Sequence, residues 1–327
     1  MSLGNNVVQA ARTALDRAMA ADERVMVLGE DVVAGGPFTL TRGLADRHGD
    51  ERVRNTPICE YSFTGAGVGM ALGGGRPFID LMFDDFITVA SDQLFNNAAK
   101  INFMSGGRFP VPLVVWTIAG AGTRWGAHHS QHLEGWLGQV PGLKVLAPAS
   151  PAATERSVEA AFADPNPVVI VADRDLLFSR ASLPGEDSSP WCPRVLRPGT
   201  DVTLLTSGRL SHLALEAIEG LDVSVELIDL QVIAPLELEP VVESVARTSR
   251  LAIIHDEAAP GALSSMIARA VYDAAFWHLD APIAVVTSPG TPVPAAAVLE
   301  DAHMLGAEDI VNTVRGLVAP LEREVAA

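Results

Sequence analysis

The sequence predicts an α/β protein of two domains, each a mostly parallel sheet covered by helices on both faces. Short, uniformly apolar runs alternate with amphipathic helical stretches, the pattern of buried parallel strands and their crossovers. One proline-rich segment near residue 190 interrupts that alternation. The length, 327 residues, exceeds one ordinary core and suits two.

Taken in order, the first helix is expected from Asn5, because Val7, Val8, Ala11, Leu15, Ala18 and Met19 recur at helical spacing. The run Val25-Met26-Val27-Leu28, closed by Gly29, reads as a buried strand. Further strands are expected at 78–82, 112–116, 144–147 and 167–172, with helices at 62–72, 87–100 and 152–162 between them. From 180 to 200 the pattern stops. Pro184, Pro190, Pro193 and Pro198 mark a connection. The alternation then resumes, with strands at 202–206, 223–227, 251–254 and 283–286 and helices at 212–219, 263–274 and 307–314. Leu263, Ile267, Ala270, Val271 and Ala274 make a clean apolar stripe. The division expected is a first domain at 1–185, a linker at 186–200 and a second domain at 201–327.

Composition narrows the function classes. Nearly half the residues are apolar and about a fifth charged, as in a folded protein. With 40 acidic against 23 basic residues, the formal charge is −17. Such a surface repels nucleic acid and anionic membrane, so neither is expected as a partner. Cys59 and Cys192 lie far apart, outside any C-x-x-C spacing, so a reducing cytoplasm is the expected location. Residues 1–9 lack the basic-then-apolar signal pattern, and no run of 18 apolar residues occurs.

Individual motifs are weak. Gly65, Gly67 and Gly69 lie inside a helical pattern rather than after a strand, so close helix packing is favoured over a dinucleotide fingerprint. His128, His129 and His132 invite a metal reading. No helix-borne H-E-x-x-H or further ligand at zinc spacing accompanies them, so zinc is disfavoured. Asn96-Asn97 has no Gly-Asp-Gly before it, which favours a helix-surface role.

Together the blocks are more specific. Gly29-Glu30-Asp31, Gly35-Gly36-Pro37-Phe38, Thr56-Pro57-Ile58-Cys59-Glu60, Met82-Phe83-Asp84-Asp85-Phe86, 92–100 and Gly126-Ala127-His128-His129-Ser130-Gln131 follow one another in order. Asp164-Pro165-Asn166-Pro167 and Glu226–Leu230 with Pro235 come later. This series resembles the β subunits of thiamine-diphosphate-dependent 2-oxoacid dehydrogenases, the E1 components acting on pyruvate, branched-chain 2-oxoacids or acetoin. The resemblance covers nearly the whole chain. It implies two three-layer α/β/α domains: a transketolase-like pyrimidine-binding domain followed by a transketolase C-terminal domain.

The resemblance also assigns residues. Glu60 matches the acid that exchanges a proton with the cofactor's aminopyrimidine, which thiamine chemistry requires. Without the resemblance it reads as a helix N-terminal glutamate suited to the dipole. Ile58, Met82 and Phe86 fall at cofactor-pocket positions, although Phe86 also fits plain core packing. His129 matches the histidine that assists acyl transfer to a lipoyl arm, and a histidine suits proton transfer near neutral pH. His128 stands where glutamine is common and is a substrate-contact candidate. Backbone carbonyls of Leu113, Ala161, Asp164 and Asn166 match a structural potassium site. Mg2+ would be held by an E1 α subunit in an α2β2 heterotetramer, through a G-D-G…N-N motif that this chain lacks. The reaction implied is decarboxylation of a 2-oxoacid with acyl transfer to a lipoyl-bearing E2 acyltransferase.

Several departures stand out. Trp116 replaces a common arginine, Thr117-Ile118-Ala119 a turn containing proline, and Ala172-Asp173-Arg174-Asp175 a stretch that normally carries glutamate. His255–Pro260 lacks the usual paired glycines. Two alternatives therefore stay open: a split transketolase-like enzyme acting without lipoyl, and a non-catalytic scaffold of the same fold.

Overall fold

The computed structural model describes residues 4–259 and 261–319. Strands β1 (Val25–Gly29), β2 (Val53–Asn55), β3 (Arg76–Phe83), β4 (Val114–Ala119), β5 (Lys144–Leu146) and β6 (Val168–Asp173) lie parallel in one sheet. A second sheet holds β7 (Arg194–Arg197), β8 (Val202–Thr206) and β9 (Val225–Asp229). The chain then returns β10 (Val232–Ala234) to the first sheet, antiparallel against β5, before β11 (Leu251–Ala258) and β12 (Ala284–Ser288) complete the second. The orders are β10-β5-β6-β4-β3-β1-β2 and β12-β11-β8-β9-β7.

The first domain carries helices α1 (Val7–Ala21), α2 (Leu44–His48), α3 (Glu60–Leu72), α4 (Ile87–Asp92), α5 (Ala99–Met104), α6 (Glu134–Gly138) and α7 (Pro151–Ala163). The second carries α8 (Arg209–Ala217), α9 (Glu239–Thr248), α10 (Leu263–Ala275), α11 (Ala297–His303) and α12 (Ala307–Val318). Local chemistry sets the ends. Asn6 accepts from the Gln9 amide while the Gln9 side chain reaches back, a capping box that starts α1. Ser150 accepts from Ala153 N–H and Pro151 takes the first turn, which starts α7. The two helices pack on each other.

Alternation within each strand divides the interior into two cores. Val114, Trp116 and Ile118 face one, and Val115 and Ala119 the other. Each core continues through the second domain, one with Leu204 and Ile254, the other with Leu205 and Ile253. Trp116 is therefore a fully buried core side chain. No helix among the described residues is long and apolar enough to cross a membrane.

The long strands and helices lie where periodicity put them. The expected 87–100 helix is interrupted by a π-helical turn, Gln93–Ala98, between α4 and α5. The segments α2, α6, α9, α11, β2, β7 and β10 were not expected; most are too short to show periodicity. β7 lies inside the 186–200 stretch, flanked by Pro193 and Pro198, as an edge strand whose outer N–H groups are not needed. Arg194 on it reaches Asp229 of β9 at 2.9 Å, with both side chains buried.

Candidate active site

Four neighbouring strands of the first sheet, in the order β6-β4-β3-β1, deliver their loops to its carboxyl edge. This is where ligands bind in open α/β sheets. β1 delivers Glu30, β3 delivers Met82 to Phe86, β4 delivers the loop 120–133, and β6 delivers Arg174. Glu60 opens α3 shortly after β2.

The loop ends build an aromatic cluster around His129. Phe83 lies 4.8 Å from the imidazole centroid, Phe86 5.5 Å and Trp125 5.9 Å. Phe38 closes the outer side, 5.5 Å from Phe83 and 6.0 Å from Trp125. The Arg174 guanidinium sits 5.0 Å from the Phe83 ring and 5.8 Å from Trp125, a cation–π arrangement. Arg174 also donates to the His129 carbonyl, and to Thr123 Oγ1 at 3.1 Å. Burial lowers its pKa, opposed by Asp85 and other carboxylates, and the group stays cationic. His128, next in the chain, points out and is exposed.

Two hydrogen bonds fasten the β3 loop to the His129 loop. Gln131 donates to Asp85 Oδ1 at 2.7 Å, and Leu133 N–H donates to Asp84 Oδ2 at 2.7 Å. Met82 holds a left-handed backbone, φ 60°, inside β3 where its register against β4 shifts between Asp80 and Phe83. Asp80 accepts from Met82 N–H at 3.0 Å; burial pushes its carboxyl up to about 6, despite that bond.

Glu60 is buried in the first turn of α3, while Ile58 just before it is 83% exposed. Glu30 lies close enough for the Glu60 charge to act on it. Burial first, then Glu60, raises the Glu30 pKa. Glu30 Oε1 is buried without a hydrogen-bond partner. Tyr61 reaches Asp92 at 3.4 Å and ties α3 to the end of α4. Within α3, a side chain at Gly67 would meet Ile79 Cδ1 at 2.7 Å, and one at Gly65 would meet Gln93 at 2.9 Å. Both glycines permit close packing.

Beneath the loop a buried polar network joins the two domains. His132 Nδ1 lies 3.0 Å from Glu134. Burial alone would lower the His132 pKa, but Glu134, Asp256 and Asp173 outweigh it and push it up to about 10. Glu257 receives Gly135 and Leu263 N–H groups, and so caps α10 against α6. Asp173 at the end of β6 receives Arg209 N–H from the second domain at 2.7 Å. A cavity of about 390 Å³ opens alongside, lined by His132, Asp256, Trp136 and His303.

The candidates thus fall into two groups. Phe86 and His129 come together in the aromatic cluster, with Met82 just before it on β3 and the exposed His128 beside it in the chain, and Glu60 and Ile58 stand on the segment after β2. Leu113, Ala161, Asp164 and Asn166 lie at the other edge of the sheet, where β4 and β6 begin. There Leu113 O accepts from Val168 N–H at 2.9 Å, and Asp164 pairs with Lys144. Sequence reasoning did not single out Phe38, Phe83, Trp125 or Arg174 as site residues. Arg174 was visible only as a departure from the family pattern.

Residues 5–179 match the transketolase pyrimidine-binding domain, and residues 193–310 match the transketolase C-terminal domain. The chain is 37% identical to the β subunit of acetoin:2,6-dichlorophenolindophenol oxidoreductase from Cupriavidus necator, covering 94% of this chain and 95% of that one. It is also 37% identical to the mitochondrial pyruvate dehydrogenase E1 β subunit of Dictyostelium discoideum, covering 94% and 90%. A split-gene transketolase, solved as an inactive β4 tetramer, shares the fold, with TM-score 0.76, 22% identity and 96% and 98% coverage. The ordered site motifs, both domain matches and the full-length relatives agree: the chain belongs to the E1 β-subunit family of thiamine-diphosphate-dependent 2-oxoacid dehydrogenases.

Proposed function

We propose that this chain supplies the pyrimidine side of an active site completed by an E1 α subunit, in an α2β2 assembly that decarboxylates a 2-oxoacid. The observation that carries the reading is the buried Glu60, close enough to act on Glu30 with its orphaned Oε1, where Glu30 follows β1 at the same sheet edge that bears the Phe83–Phe86–His129 cluster. A buried acid with unsatisfied polar neighbours fits a heterocycle that exchanges protons and hydrogen bonds. An aromatic face fits a planar ring. When bound, thiamine diphosphate supplies the nucleophilic carbon and the electron sink for decarboxylation.

The protein's residues have distinct tasks in this reading. Glu60 holds and moves the proton at the pyrimidine nitrogen. Phe86, Ile58 and Met82 orient the ring. His129 moves a proton at the reacting centre when the acyl group passes to the lipoyl arm of an E2 acyltransferase, and His128 contacts substrate. The α subunit holds Mg2+ and the diphosphate, since this chain has no Gly-Asp-Gly. Ile58, Tyr61, Val89 and Phe103, exposed around α3 to α5, support a large covering partner. The carbonyls of Leu113, Ala161, Asp164 and Asn166 hold a structural potassium ion. The division at 186–200 and a cytoplasmic location belong to the same reading.

Calorimetry tests it. The isolated chain should bind thiamine diphosphate and Mg2+ poorly, and its complex with the α subunit tightly. Tight binding by the isolated chain would sink the half-site reading. Acylation of a lipoyl domain by the complex separates it from a transketolase-like enzyme.

A further inference from the structure

We infer that Glu300, on α11 of the second domain, is a positioning residue for the His129 loop; the inference builds on the role of His129 given above. Its side chain is fully buried. Its two oxygens receive Gly122 N–H at 2.8 Å, Arg124 N–H at 3.0 Å and Arg124 Nη1 at 2.6 Å. Every donor comes from the loop between β4 and α6, which also carries His128 and His129. The second Arg124 arm reaches the neighbouring Asp301.

The loop is shaped to make these bonds. Gly122 has φ 102° and Arg124 φ 66°. Left-handed backbone at a non-glycine residue is strained and persists only where its surroundings hold it. Charge-assisted bonds to a buried carboxylate provide that hold. Trp125, directly after Arg124, packs against Phe83, Phe38 and the His129 imidazole. Arg174 holds the same loop from the β6 side through the His129 carbonyl. His129 is therefore placed by two domains at once, and Glu300 is the second domain's contribution.

The test uses the chain assembled with its α subunit. In Glu300→Gln one acceptor oxygen becomes an NH2 group facing backbone donors. Lipoyl acylation should fall on the order of 10- to 100-fold, as for a displaced catalytic group. Hydrogen–deuterium exchange at the thiazolium carbon, which reads Glu60, should not change. Amides 122–130 should lose protection, and adding Glu300→Gln to His129→Ala should cost little more. Unchanged amide protection, or a full further loss on top of His129→Ala, would overturn the inference. If His129→Ala alone leaves acylation intact, the His129 reading fails, and amide protection still decides whether Glu300 holds the loop. Glu300→Asp, which keeps the charge but withdraws it by one methylene, provides the same measurements should the glutamine variant not assemble.

Discussion

Phe83 stands edge-on to His129, its ring centroid 4.8 Å from the imidazole and the two planes at 90°. Phe83 is buried at the end of β3, so the sheet itself fixes one wall of the imidazole's position. The contact carries a first prediction. Phe83→Leu keeps apolar volume but removes the aromatic contact. An aromatic pair is worth about 0.5–1.5 kcal/mol beyond its area, so lipoyl acylation should slow by roughly two- to tenfold. An acylation rate within twofold of the parent would show that the contact does not position His129.

His129 and His128 should differ sharply. The first sits inside the aromatic cluster and the second is exposed. His129→Ala should reduce acyl transfer by roughly 10²–10⁴-fold, the range for one positioned acid–base group. Decarboxylation read with an artificial electron acceptor should suffer less. His128→Ala should cost much less in both assays. Greater damage from His128→Ala would transfer the role to that residue.

Glu60→Gln preserves size and burial while removing the exchangeable acid. In the assembled enzyme the cofactor should still bind, and hydrogen–deuterium exchange at the thiazolium carbon should slow by about a hundredfold or more. Exchange at the parental rate would mean that another group performs the transfer, with Glu30, on which the Glu60 charge acts, the first to test.

Asp80 supplies a stability prediction with a defined sign. Burial raises its folded pKa to about 6, above the unfolded value near 4. The folded state therefore binds the proton more tightly. The destabilisation is complete above about pH 6 and fades as pH falls toward 4. Holding the charge costs on the order of 2–3 kcal/mol. Asp80→Asn retains an oxygen for Met82 N–H, so its Tm should exceed the parent's by a few degrees at pH 8, with a smaller gap at pH 5. A gap that grows on acidification would refute the assignment.

The sequence by itself determined much of this protein. Uniform apolar runs, such as those of β1, β4 and β6, specify strands buried on both faces, because only covered parallel sheets tolerate them. The ordered motifs single out Glu60, Ile58, Phe86 and His129 as the residues proposed for the site, since a cofactor of fixed shape demands fixed residue types in a fixed order. Tertiary structure decided what depends on approach across long separations. No local pattern reveals that Glu300 receives the backbone of Arg124, 176 residues away, because a buried carboxylate and its donors need only meet in space. Nor does the proline-bounded run around β7 look like a strand until the edge of the second sheet gives it a partner. Trp116 departs from the family pattern, yet alternation along β4 turns it into a core, where a large apolar ring is stabilising. Phe38, Phe83 and Trp125 read as ordinary hydrophobic residues in the chain. The parallel order of β6, β4, β3 and β1 turns them into one cluster, Phe83 and Trp125 against the His129 imidazole and Phe38 against both of them, because that order brings four loop ends to a single edge.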